Sequence, residues 1–172
     1  IPNSYVFYRI RAKMNSEASV EDKSEDYKKA LALNPKDWKV WEENIQFYSG
    51  SKKYNLAHNL SQKAYRTFKG NYNIGLAHAK SLLNTGQFEK TLAVLETIQV
   101  LPYEHASESR NIYERAHLGV ALDLMKKKKY NKAISILNKS KEWPENIGVG
   151  KPYQSDERAQ DYLLAISYSA IN

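Results

Sequence analysis

The 172-residue chain has no cysteine, only 7 glycines and 5 prolines, and no uninterrupted apolar run near the roughly 18 residues a membrane-spanning helix needs. Each absence excludes a class. Without cysteine there is no disulfide scaffold, no thiolate metal site and no cysteine nucleophile. With so few breakers and 42% hydrophobic residues, the chain is neither collagen-like nor disordered. Strict apolar-polar alternation never persists for more than a few residues, so strands are not expected. The start, Ile1-Pro2-Asn3-Ser4, carries no signal peptide and no initiator Met, and the chain reads as a piece of something longer. Lack of cysteine leaves the compartment open, because reducing and oxidising compartments both tolerate it.

What is present is helical periodicity. Pro35, Gly50, Gly70, Gly86, Pro102, Pro144, Gly148, Gly150 and Pro152 separate stretches whose apolar residues recur at three and four. Ala93, Leu95, Ile98 and Leu101, for example, keep a helical stripe behind Gln87 and Phe88. These stretches repeat. Phe7, Trp41 and Gly75 head three units spaced by about 34 residues, and Met14, Tyr48 and Leu82 close the first helix of each. A fourth unit reads His117, Val120, Ala121 and Leu124, then Tyr130, Ala133 and Leu137, and lags the period by about 8 residues. The lag falls in 103–112, whose composition extends the first helix of that unit toward its N-terminus.

Trp41, Tyr48, Tyr54, Ala57 and Ala64 give the fullest version of the pattern. Leu82, Gly86, Phe88 and Leu95 follow, then Ala121, Leu124, Tyr130, Ala133 and Leu137, while the first unit keeps Tyr27, Ala30 and Pro35. In this arrangement the chain resembles the tetratricopeptide repeat, with Lys128 where the turn glycine is usual and Pro102 one residue early. The resemblance implies an all-α, right-handed solenoid: about four helix pairs (4–36, 37–70, 71–103, 104–143), a loop (144–154) and a terminal helix (155–171) in one repeat domain. Small residues such as Ala57, Ala121 and Ala133 would let paired helices approach, and Tyr54, Phe88 and Tyr130 would fill the gap to the next unit. Ser155, Asp156 and Glu157 supply an N-cap and acidic first turn for the last helix, which is apolar around most of its circumference. That helix is expected to dock on another domain or a second copy, as a homodimer contact. The 144–152 segment also resembles the repeat tails of large bacterial proteins with a carbohydrate-related front domain.

Several constellations invite chemistry and fail on spacing. Gly148-Val149-Gly150-Lys151 suggests a phosphate loop, but Glu145 replaces the first glycine, Pro152 replaces the metal-binding hydroxyl, and no strand precedes it. It reads as a structural turn. His58, His78, His105 and His117 have no i, i+4 partner, so no metal site is expected. Glu42-Glu43 and Asp156-Glu157 are adjacent and point to different sides of a helix, as solvated helix starts do. No catalytic residue and no cofactor site is assigned.

The net charge of +7 and the run 126–129 of four lysines raise the question of nucleic acid. Charge is otherwise even, with 13 basic and 8 acidic residues in 1–70 and 13 and 11 in 71–172. A lysine run at a helix C-terminus also suits the helix dipole, and no membrane segment is present. The resemblance points instead to a groove lined by the first helices, for which Lys80, Arg115, Leu118, Leu122 and Met125 are the candidate partner-binding residues. The groove grades from Lys39, Glu42, Glu43 and Gln46 toward Asn73, Leu76, Ala77 and Leu83. The expected function is a non-catalytic protein-protein interaction or scaffold module taking a peptide or partner domain. The alternatives are an RNA-binding helical-repeat domain and an accessory segment of a larger carbohydrate-related enzyme.

Overall fold

A computed structural model describes residues 4–102 and 107–171. Among them the regular structure is all helical: α1 (Tyr5–Met14), α2 (Val20–Leu33), α3 (Trp38–Gly50), α4 (Tyr54–Thr67), α5 (Tyr72–Asn84), α6 (Phe88–Glu96), α7 (Glu108–Lys126), α8 (Tyr130–Ser140) and α9 (Arg158–Ser169). A single 3-10 turn occupies Glu145–Ile147. The all-α class therefore holds. Of the extension expected over 103–112, α7 takes 108–112, and residues 103–106 lie outside the described set.

The helix starts follow from local chemistry. Ser19 Oγ accepts the Asp22 N–H, Asp37 Oδ1 accepts the Lys39 N–H, and Asn71 Oδ1 accepts the N–H groups of Asn73 and Ile74. Each satisfies donors that the first helical turn leaves open. The turns inside three successive pairs share one geometry. Lys53, Gln87 and Lys129 N–H each donate 2.9 Å to the carbonyl five residues back, on Tyr48, Leu82 and Leu124. The residue before each is left-handed: Lys52 (φ 57°), Gly86 (φ 73°) and Lys128 (φ 56°). This is the Schellman form of a helix stop, which favours glycine and here twice takes lysine.

Two compact units are distinguished, residues 1–81 and 82–172. In the first, Ala12, Tyr27, Ala30 and Val40 join α1, α2 and α3, while Ile45, Tyr48, Ala57, Ala64, Ile74 and Ala77 join α3, α4 and α5. Ala30, Ala57 and Ala64 are completely buried, as close helix approach requires. In the second, Ala121, Leu137 and Leu164 bring α7, α8 and α9 together, and an added Cβ at Gly119 would lie 2.6 Å from the Phe88 ring, so α6 seats on a bare stretch of α7.

Some expectations change. Tyr54 stands at the N-terminus of α4 and is exposed rather than filling a gap. The stripe through Ala93 to Leu101 is not one helix: α6 stops at Glu96, and Ile98 and Val100 are buried from an irregular segment while Leu101 is exposed. The cause is the 145–148 turn, which gives that segment main-chain partners: Val100 N–H donates to Asn146 O, and Asn146 Nδ2 donates to Leu95 O and Ile98 O. The N-cap of α9 is Glu157, not Ser155, and its side chain does not cap. Asp156 Oδ1 accepts the Arg158 N–H instead.

Candidate binding surfaces

α7 presents two faces set by its residue spacing. Ile112, Tyr113, Ala116, His117 and Val120 are buried. Arg115, Leu118, Leu122 and Met125, at steps of three, four and three, share another side. Arg115 is exposed, Leu122 is 42% exposed, Met125 is half-buried, and Leu118 is half-buried against the Ala121–Leu137–Leu164 cluster. Four of the five groove candidates thus fall on one helix face. Lys80 lies on α5 in the first unit, half-buried and already engaged by a partner. Leu76, Ala77 and Leu83, expected near the same groove, are buried and serve packing. Beyond Met125, Lys127, Lys128 and Lys129 are exposed, and Lys126 pairs with Asp123 at 3.3 Å.

Glu43 departs from a solvated helix start. Arg9 Nε and Nη2 donate to its two oxygens at 2.7 and 2.9 Å, and Lys13 Nζ adds a bond of 2.9 Å, tying α1 to α3. Burial pushes the Glu43 carboxyl up, but the Arg9 and Lys13 hydrogen bonds outweigh it and hold the pKa below the usual range. An acidic surface for a ligand is therefore not available at this carboxylate. Arg11 pairs with buried Asp26 in the same bidentate manner. No spacing rule pairs Arg9 with Glu43, 34 residues on and in a separate helix, so the sequence could not show that contact.

His58 and His78 stand on α4 and α5 and meet, with rings stacked at 5.8 Å and 13°. Tyr65 also stacks on His78, at 4.9 Å. Ser61 Oγ sits 3.0 Å from His78 Nδ1 and 2.5 Å from Ser81 Oγ. Burial, then the charges of His58 and Arg66, push His78 down to about 4, so its imidazole is neutral at physiological pH. This is a packed polar seam between two helices. Among the described residues no three acidic or histidine side chains converge as metal ligands, and His105 lies outside that set.

Of the 148–151 segment, Gly148 is in a turn and 149–151 are irregular. Gly148 is left-handed (φ 67°), and a Cβ there would lie 2.6 Å from the Val100 carbonyl oxygen, so glycine serves close backbone packing. Ser109 Oγ donates to Ile147 O at 2.6 Å and fixes the turn to α7.

Two further helices carry exposed apolar residues. On α9, Leu164 is buried and Leu163 packs beside it, whereas Tyr162, Ile166, Tyr168 and, just past the helix, Ile171 are exposed. On α1, Val6, Ile10 and Met14 form an exposed apolar line at steps of four. Among the described residues, no helix is long and apolar enough to cross a membrane. Compared with protein-family models, with characterised proteins and with solved structures, the chain matches none.

Proposed function

We propose that the chain is a non-catalytic protein-interaction or scaffold module of tetratricopeptide type, taking a peptide or partner domain along the Arg115–Leu118–Leu122–Met125 face of α7. The observation that carries this reading is Leu122, a large apolar side chain left 42% exposed beside exposed Arg115 on a long, well-packed helix. An apolar line with a cationic end suits an amphipathic helix or extended segment bearing apolar anchors and a carboxylate. In cells that make the natural chain, a photo-crosslinking residue at position 122 should capture a defined protein, and one at exposed Asn131 on α8 should not. Equal labelling from both positions would remove α7 as the contact face.

The exposed Lys127, Lys128 and Lys129 favour RNA as the second reading. An RNA affinity that falls steeply with salt and is lost on Lys127→Glu with Lys129→Glu would select it. The open α9 face further supports self-association or docking on a neighbouring domain. Sedimentation should show a concentration-dependent dimer that Ile166→Glu with Ile171→Glu abolishes. A wild type monomeric at high concentration would dismiss the homodimer.

A further inference from the structure

A cleft of about 210 Å³ lies in the second unit, away from the Leu122 face, where α6, α7, the end of α8 and the 144–147 turn meet. Leu92, Leu95, Pro144 and Ile147 give it apolar walls. His117 lies at the cleft and is 2% exposed. Its Nδ1–H donates to the Tyr113 carbonyl at 2.9 Å, which fixes the tautomer and leaves Nε2 as a bare acceptor. Among the described residues Nε2 has no hydrogen-bond partner, and, unlike Trp143 Nε1, it is not sealed off, on a residue that lines the cleft. The neighbouring Tyr113 hydroxyl is already committed, donating to the Lys139 carbonyl at 3.1 Å. The buried end of the cleft thus offers this acceptor beside apolar walls, with half-buried Asn146 also at the lining, its Nδ2 donating to the Leu95 and Ile98 carbonyls.

We infer that this cleft is a binding site for a planar aromatic group carrying an N–H or O–H donor, an indole or phenol, with the donor directed at His117 Nε2. Size supports this class. An apolar cavity of about 150 Å³ accepts benzene, so 210 Å³ suits one ring or two fused rings. The tilted Tyr113–His117 ring pair, 4.2 Å between centroids, supplies an aromatic wall. A purely apolar ligand would leave the buried acceptor without a partner. Glu96, Glu142 and Lys139 line the cleft with exposed charges whose sum is negative, which favours a cationic substituent over an anionic one.

The inference is independent of the partner proposed for α7, since it uses the opposite, buried side of that helix. Its test is titration of the ¹⁵N-labelled chain with indole, 1-methylindole, tryptamine and indole-3-acetate, followed on the His117 imidazole nitrogens by NMR. Indole should bind saturably, with a dissociation constant on the order of 1 mM, and shift the Nε2 resonance. 1-Methylindole, lacking the donor, should bind roughly fivefold more weakly without that shift. Tryptamine should bind more tightly than indole-3-acetate, with a difference that shrinks in salt.

His117→Leu removes the acceptor, and Leu92→Trp fills the cleft from α6. Each should abolish the preference for indole while circular dichroism stays that of a folded helical protein. Leu92→Trp keeps the test valid should His117→Leu fail to fold. A capped Ala-Trp-Ala peptide separates the sources: binding like that of indole assigns the ring to a protein side chain, and binding of the free compounds alone assigns it to a small molecule. No saturable shift of His117, or equal binding of indole and 1-methylindole, overturns the assignment.

Discussion

Around α1, α2 and α3 the helices are fastened side chain to side chain: Arg9 and Lys13 on Glu43, Arg11 on Asp26, Ser24 on the Tyr48 hydroxyl. Around α6, α7 and α8 the fastenings run from side chain to main chain. Asn146 holds the carbonyls of Leu95 and Ile98, Ser109 holds that of Ile147, and buried Arg110 reaches that of Ser140. Both regions use the same turn geometry and the same buried alanines, so the local plan does not dictate the fastening. Partly exposed ion pairs are screened by salt and worth little singly, whereas a buried hydrogen bond to a carbonyl is insensitive to salt and costly to leave half made.

The largest effect should come from Gly148→Ala, which drives a Cβ into the Val100 carbonyl at a left-handed position. A loss of about 2–4 kcal/mol is expected in urea unfolding, with faster hydrogen exchange at Val100. An unchanged midpoint would mean that the turn is not seated as described, and the contrast between the two regions would collapse.

The next effect is acid sensitivity at the α4–α5 seam of the first unit. His78 is held near 4 when folded against about 6.5 when unfolded, so the unfolded chain binds the extra proton between those values. The seam's contribution is full above about pH 6.5 and is lost as pH falls toward 4, up to roughly 2–3 kcal/mol. His117, lowered by burial in the second region, adds in the same direction. His78→Gln should flatten the pH dependence of the melting temperature, and an unaltered slope would place the acid sensitivity elsewhere.

A matched pair sharpens the comparison further. Glu43→Gln should cost about 1–2 kcal/mol at low salt, less in 1 M NaCl, while Ser109→Ala should cost about 1 kcal/mol at both. Parallel salt series of chemical melts decide it, and an equal salt response would erase the distinction drawn between the fastenings. The smallest effects should be gains. Lys52→Gly and Lys128→Gly relieve a left-handed lysine in either region and should each add about 0.5–1 kcal/mol, measured as a rise in melting temperature.

Helix positions were legible in the chain because periodicity and caps are local. Tyr130, Ala133 and Leu137 predicted α8, and Lys128, noted where the resemblance puts a turn glycine, takes the left-handed position before it. The end of α6 was not legible, since it depends on Asn146, some fifty residues away. Of the candidate surface, Leu122 and Arg115 on one face follow from spacing alone. That Leu76 and Leu83 are core while Leu122 is open required knowing which neighbours cover them.

By itself the amino-acid order determined that these segments are helices and where most of them start and stop, because those properties are governed by interactions within about four residues. Only the tertiary structure decided that Glu43 is paired with Arg9 and Lys13, that His58 stacks on His78, and that His117 is buried at the edge of a cleft. Those outcomes depend on the rotation and separation of helices joined by long stretches of chain. One residue of difference in rotation turns a side chain by about 100°, enough to exchange a buried partner for water.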